Sequence, residues 1–208
     1  MPIHRRNDMK KGLLFVVSGP SGTGKGTVMK HLLETGEYFY SVSATTRAPR
    51  GEDKEGVTYY FVTRAQFEEK IAQGEMLEYA EYSGNYYGTP KFAVEKALAD
   101  GKNVILEIET KGALQVRKIM PEAVLIFILP PDIETLRARL TGRGTESAEV
   151  IETRMAQVQR EVALLCEYDY AIVNENGKSE EAAKAIMGIA AAEKLRASRN
   201  AELKEKFL

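Results

Sequence analysis

The run Leu13-Leu14-Phe15-Val16-Val17-Ser18-Gly19-Pro20-Ser21-Gly22-Thr23-Gly24-Lys25-Gly26-Thr27 decides the fold. Leu13 to Val17 are uninterrupted apolar residues, the pattern of a strand buried on both faces. Val28, Leu32 and Leu33 follow at helical spacing, and Gly36 stands where that helix would end. Between strand and helix, Gly19 to Lys25 reads G-x-x-x-x-G-K, the phosphate-loop pattern in the context that gives it meaning. Glycines let backbone N–H groups turn inward around phosphate oxygens, and the start of a helix favours anions. Lys25 is expected to reach the β- and γ-phosphates. The position after the lysine, commonly a Ser or Thr that reaches Mg²⁺, is here Gly26. Either the loop binds no metal, or it uses a metal held through phosphates and waters; Mg²⁺ keeps its waters readily, which favours the second. Thr27 is expected to touch the α-phosphate.

Outward from this run, three more apolar stretches read as buried parallel strands: Val104 to Ile108, Ala123 to Leu129, and Ala171 to Val173. Leu136 and Leu140 behind Pro131 and Asp132 mark one helix. Ile151, Met155, Val158, Val162 and Leu165 mark a long amphipathic one, and a last helix starts near Ser179. Alternating strand and helix predicts an α/β sheet covered on both faces. From about 41 to 99 the pattern changes to a small mixed α+β insertion. It has strand-like Val57 to Val62 and Met76 to Tyr82, a Thr63/Gln66 capping box, and Pro90 at the first position of a helix that Gly101 follows.

The 208 residues suit one domain, and 29 basic against 30 acidic residues leave a net charge of −1. That balance argues against duplex nucleic acid as a partner. One cysteine, Cys166, permits no internal disulfide and fits a reducing compartment; it is expected to be a packed core thiol. The longest apolar run, Ala123 to Leu129, is far short of a membrane span. His4, Arg5, Arg6, Lys10 and Lys11 read as a basic N-terminus ahead of the first strand, because Leu13 to Val17 is too short for the core of a signal peptide. A cytoplasmic protein with no membrane partner is expected.

Several further elements resemble the guanylate kinase family, over about Gly12 to Asn174. These are Ser41-Val42-Ser43-Ala44-Thr45-Thr46-Arg47-Ala48-Pro49-Arg50, Tyr59-Tyr60-Phe61, Glu78-Tyr79-Ala80, Gly84-Asn85-Tyr86-Tyr87-Gly88-Thr89, Ile105-Leu106-Glu107-Ile108-Glu109 and Arg139-Leu140-Thr141-Gly142-Arg143-Gly144-Thr145. The resemblance implies an α/β P-loop kinase core with a parallel five-stranded sheet. The core would comprise 1–40 and 100–208, with a GMP-binding insertion at 41–99 and a lid at about 139–156. It implies reversible, Mg²⁺-dependent transfer of the ATP γ-phosphoryl group to GMP or dGMP, in purine nucleotide metabolism, by a monomer or homodimer.

Phosphoryl transfer is mainly positioning and charge stabilisation, so the site needs cations. Arg47 and Arg50, with the Tyr59 and Tyr87 hydroxyls, match the family's clamp on the GMP phosphate. Five of the chain's 13 arginines lie between Arg137 and Arg160, where there is no lysine. Among them Arg139 and Arg143 match the lid arginines and Arg154 one on the following helix, closing over the γ-phosphate with Lys25. Arg137 and Arg160 read as helix surface. Mg²⁺ with these six matched cations brings about +8 against about −6 on the two nucleotides.

Guanine offers N1–H and N2 donors and an O6 acceptor. Glu78 and Glu109 therefore match the family's guanine-reading groups, with Ser43 and Thr89 hydroxyls available to O6. The family often has Asp at the positions of Glu107 and Glu109. Glu107 is expected to orient Mg²⁺ waters, with no direct protein metal ligand, and Asn174 to border the adenine. Two other readings compete. One is a catalytically inactive guanylate-kinase-like protein-binding module, which the intact phosphate loop disfavours. The other is a kinase for another phosphorylated acceptor, which Glu78 with Arg47, Arg50 and the tyrosines disfavours.

Overall fold

A computed structural model describes residues 11–142 and 148–208; Arg143 and the basic residues His4 to Lys10 lie outside the described residues. In chain order the elements are β1 (Leu14–Ser18), α1 (Lys25–Glu34), β2 (Tyr38–Tyr40), β3 (Ala44–Thr45), β4 (Tyr60–Phe61) and α2 (Arg64–Ala72). There follow β5 (Met76–Tyr82), β6 (Asn85–Pro90), α3 (Lys91–Ala99), β7 (Asn103–Glu107), α4 (Thr110–Ile119) and β8 (Val124–Leu129). The chain continues with α5 (Ile133–Thr141), α6 (Ala148–Val162), a 3₁₀ turn at Leu165–Glu167, β9 (Tyr170–Val173), α7 (Ser179–Leu195) and a 3₁₀ segment at Ala197–Lys206.

The larger sheet is ordered β2-β7-β1-β8-β9 and the smaller β4-β3-β6-β5. Every residue of β1, and all but the last of β7 and β8, is buried, which is why these strands read as continuous apolar runs rather than alternating ones. β2 pairs in parallel with β7, Tyr38 opposite Asn103, and β9 in parallel with β8, Val173 opposite Leu129. The fold is α/β with a parallel sheet. β2 is the strand the four apolar runs did not reveal: three residues on a sheet edge need neither an apolar run nor alternation.

The chain divides into two compact units. The described residues of the first are 11–15, 37–106 and 111–123; the second comprises 16–36, 107–110 and 124–208. The first holds the smaller sheet, whose core is Ala44, Phe67 and Met76, with Tyr60, Val62, Ile71 and Tyr86 against it. In the second, Leu136 and Leu140 of α5 pack on Met155 and Val158 of α6, flanked by Ile151 and Val162. In that unit α1 packs on α7, with His31 Nε2 hydrogen-bonded to Ser179 Oγ at 3.2 Å.

Local signals explain most element ends. Thr63 Oγ1 accepts from Gln66 N–H at 3.2 Å while Gln66 Oε1 accepts from Thr63 N–H at 2.8 Å, completing the expected capping box. Thr63→Ala is expected to lower stability by about 1 kcal/mol in urea unfolding; an unchanged midpoint would show that α2 is held by packing alone. Asp132 caps α5 by accepting from Thr135 N–H at 2.6 Å, and the Thr135 hydroxyl and then this N–H hold its carboxyl below the usual range.

Four expectations need correction. Val57 to Val62 is strand only at Tyr60–Phe61, because Val57 and Thr58 N–H both donate to Lys54 O in a turn. Pro90 precedes α3 rather than opening it, extended at φ −65° and ψ 128° as the last residue of β6. Leu165 lies beyond α6 in the 3₁₀ turn, where the 3.6-residue period no longer applies. The same change of period leaves Cys166 exposed rather than packed in the core. No helix among the described residues is long and apolar enough to cross a membrane.

Candidate functional site

In the second unit, β1 delivers the chain into the glycine loop and α1 takes it up at Lys25. Gly19 is obligatory: at φ 141° an added Cβ would lie 2.2 Å from Ile128 O. Gly24 is the left-handed N-cap of α1, at φ 84° and ψ 21°, with no side chain to cap the helix. A helix start leaves its first N–H groups without intrahelical partners, which suits an anion here. Thr23 is buried, its hydroxyl donating to Pro20 O at 3.0 Å. Thr27 is exposed, and a Cβ on Gly26 would meet nothing within 4 Å.

Lys25 Nζ donates to Gly19 O at 2.6 Å and Pro20 O at 2.9 Å. Burial lowers its pKa, against the opposing pull of Glu107 and Glu161. Burial raises the pKa of Glu107, at the end of β7, with Lys25 acting the other way. The phosphate-loop lysine thus feels the charge of two carboxylates, and Glu161 on α6 is one that sequence reading missed. Among the described residues, no group of three or more His, Cys, Asp or Glu could hold a metal ion.

Arg139 on α5 is thoroughly engaged. Its Nε and Nη2 donate to Asn176 Oδ1 at 3.1 and 2.8 Å, Nη2 also donates to Asn174 O at 2.9 Å, and Nη1 to Thr23 O at 3.3 Å. Asn174 is buried, and its Nδ2 donates to the same Thr23 carbonyl at 2.8 Å. Arg154 lies half-buried on α6. Arg137 ion-pairs with Glu152, and Arg160 is exposed. Asn176 carried no sequence signal, since a polar residue in a turn has no periodicity.

In the first unit, β3 is flanked by β4 in parallel and β6 antiparallel, Ala44 facing Tyr60 on one side and Gly88 on the other. Half-buried Ser43 accepts from Tyr60 N–H through its carbonyl at 2.9 Å. This small sheet assembles a cationic aromatic corner. The Arg47 guanidinium carbon lies 5.4 Å from the Tyr59 ring centroid, and Tyr59 meets Tyr87 edge-on at 6.0 Å. Asp53, also unforeseen, orients the arginine: its Oδ2 accepts from Arg47 Nη2 at 2.8 Å and from Arg50 N–H at 2.8 Å. The Arg50 N–H and then the guanidinium hold that carboxyl below the usual range. Arg50 itself is exposed.

On the neighbouring strands Glu78 is 5% exposed and Thr89, opposite it in the β5–β6 ladder, 1%. Thr89 Oγ1 donates to Glu78 Oε1 at 2.7 Å. Gly88 lets β5 come this close: a Cβ there would lie 2.5 Å from Glu78 O. Gln115 of α4 fixes β5 from outside the sheet, accepting from Tyr79 N–H at 3.0 Å and donating to Tyr79 O at 3.1 Å. A buried carboxylate accepts hydrogen bonds only, so this pocket suits a ligand edge with paired N–H donors. Glu109 is exposed and falls in the other unit.

Comparison with protein families matches residues 11–192 to guanylate kinase. A guanylate kinase of Lactococcus lactis is 53% identical over 191 residues, covering 91% of this chain and 92% of the relative. One of Streptococcus pneumoniae is 58% identical over 167 residues, covering 79% and 80%. The solved guanylate kinase of Anaplasma phagocytophilum superposes with a TM-score of 0.69 at 36% identity, covering 91% of this chain and 90% of that one.

Proposed function

This chain belongs to the guanylate kinase family and is a nucleoside monophosphate kinase with the P-loop kinase fold, and on that premise we propose that it transfers the ATP γ-phosphoryl group to GMP or dGMP, with Mg²⁺, in purine nucleotide metabolism. The observation that carries the acceptor is the buried Glu78 carboxylate, oriented by Thr89 in the small sheet. It would accept from guanine N1–H and N2, whereas adenine N1 presents a lone pair. Arg47, Arg50, Tyr59 and Tyr87 would bind the GMP phosphate, the planar guanidinium suiting bidentate contact. Ser43 would reach guanine O6. These residues fall within the insertion at 41–99.

In the other unit, the loop from Gly19 to Thr27 would hold the ATP phosphates and Lys25 would neutralise them. Arg139, Arg143 and Arg154 would supply positive charge to the transferred group. Glu107, one of two carboxylates whose charge acts on Lys25, would serve an ion held mainly by nucleotide phosphates and waters. When bound, the ion adds charge neutralisation; the chain's part is to orient its waters through Glu107.

The test is ADP release in a coupled assay with GMP, AMP, CMP and UMP offered in turn. GMP is expected to exceed each of the others by at least roughly 100-fold in kcat/KM, because the other bases do not present the paired N–H donors that suit the Glu78 carboxylate. No turnover with any acceptor, with the protein folded, would support the inactive-module reading instead.

A further inference from the structure

β9 ends at Val173, but its pairing continues for one more residue: Asn174 N–H donates to Leu129 O at 2.7 Å. That backbone bond sets the Asn174 side chain behind the phosphate loop. The residue is 4% exposed; its Nδ2 donates to Thr23 O at 2.8 Å, and its buried Oδ1 has no hydrogen-bond partner among the described residues. The end of the amide that the fold engages is Nδ2, through its bond to the Thr23 carbonyl. The two are in close contact, since a Cβ on Gly24 would lie 2.5 Å from Asn174 Nδ2.

In a trans peptide, the carbonyl of one residue and the N–H of the next point in opposite directions. Tying Thr23 O to Asn174 therefore turns the Gly24 N–H to the opposite side. Gly24 is left-handed and Lys25 opens α1, the kind of turn in which successive N–H groups converge on an anion. Were the Thr23–Gly24 peptide to rotate, a carbonyl would replace an N–H on the phosphate side and repel the ligand.

We infer that Asn174 is a positioning residue for the phosphate loop, holding the Thr23–Gly24 peptide with its N–H toward the bound phosphates, rather than a contact to the adenine. Arg139 donates to the same carbonyl at a longer 3.3 Å, so Asn174 keeps the peptide in place when the arginine lets go. The inference rests on the proposed ATP site, but only on its phosphate half.

Tripolyphosphate separates the two roles, because it carries the phosphate chain without a base. Wild type, Asn174→Ala and Asn174→Asp are titrated calorimetrically with ATP and with tripolyphosphate, each with magnesium, alongside steady-state kinetics. Asn174→Asp sets a carboxylate against the Thr23 carbonyl. It is expected to weaken both ligands by the same factor, at least about tenfold, and to raise KM for ATP while leaving KM for GMP unchanged. Asn174→Ala is expected to show a smaller loss, again equal for the two ligands, and gives the same comparison should the Asp variant not fold. A loss confined to ATP would return Asn174 to the adenine and overturn the inference. So would KM values for ATP and GMP that rise together, the mark of general damage. Wild type that binds tripolyphosphate yet does not phosphorylate GMP would refute the proposed acceptor and leave the Asn174 comparison intact.

Discussion

Lys25→Ala is expected to remove at least about 3 kcal/mol of transition-state stabilisation, by comparison with the loss of single electrostatic donors elsewhere. The physical case is local. The ammonium group bonds Gly19 O and Pro20 O and is partly stripped of water, so its charge acts within the loop in a medium that screens it weakly. Both partners are loop carbonyls past the end of β1, which water can reach once the side chain is shortened, and the variant should keep its circular dichroism spectrum. Normal folding with near-normal turnover would refute the assignment of this loop to the transferred phosphates.

Glu78→Gln is expected to change the choice of substrate rather than the capacity for transfer. The exchange keeps the volume and turns one acceptor oxygen into an NH₂ donor. If the amide keeps its oxygen toward Thr89 Oγ1, its NH₂ faces the guanine donors; if it flips, the Thr89 hydroxyl loses its acceptor. Either way one hydrogen bond is lost at a position that is only 5% exposed. kcat/KM for GMP should fall at least roughly 100-fold, with AMP activity held or raised and KM for ATP barely moved. A parallel fall with GMP and AMP would make Glu78 structural and bring Glu109 forward, although its exposed position favours it less.

What could be read along the chain is what has a local cause. β1, β7 and β8 are apolar because both faces are covered, α2 starts at Thr63 because of its own capping box, and α5 starts at Asp132 for the same kind of reason. The phosphate loop was legible because glycine spacing, strand and helix coincide within a few residues. Arg47, Tyr59, Tyr87, Glu78 and Thr89 are legible only through family resemblance; that Arg47 meets Tyr59, Tyr59 meets Tyr87 and Thr89 bonds Glu78 comes from the fold. The supporting residues were not legible. Asp53 and Asn176 are polar and lie outside any repeating pattern, Gln115 is a polar residue of α4, and all three act on partners fixed by the fold, Gln115 on a strand 36 residues away in the chain. Cys166 went astray for the opposite reason: a regular period was extended past the point where the helix changes pitch.

The bonding of Arg139 bears on how the rate should respond to heat. To serve a phosphate, the guanidinium must first release Asn176 Oδ1, the carbonyls of Asn174 and Thr23, or some of these, and it does so in exchange for oxygens that carry formal charge. Neutral acceptors will not draw it away, since one neutral oxygen is no better than another. On the proposed role, the arginine is expected to be recruited by a ligand with a charged phosphate chain. If Arg139 serves the transferred phosphate as proposed, giving up these bonds would add an enthalpic cost to its engagement, and the rate is expected to fall steeply on cooling.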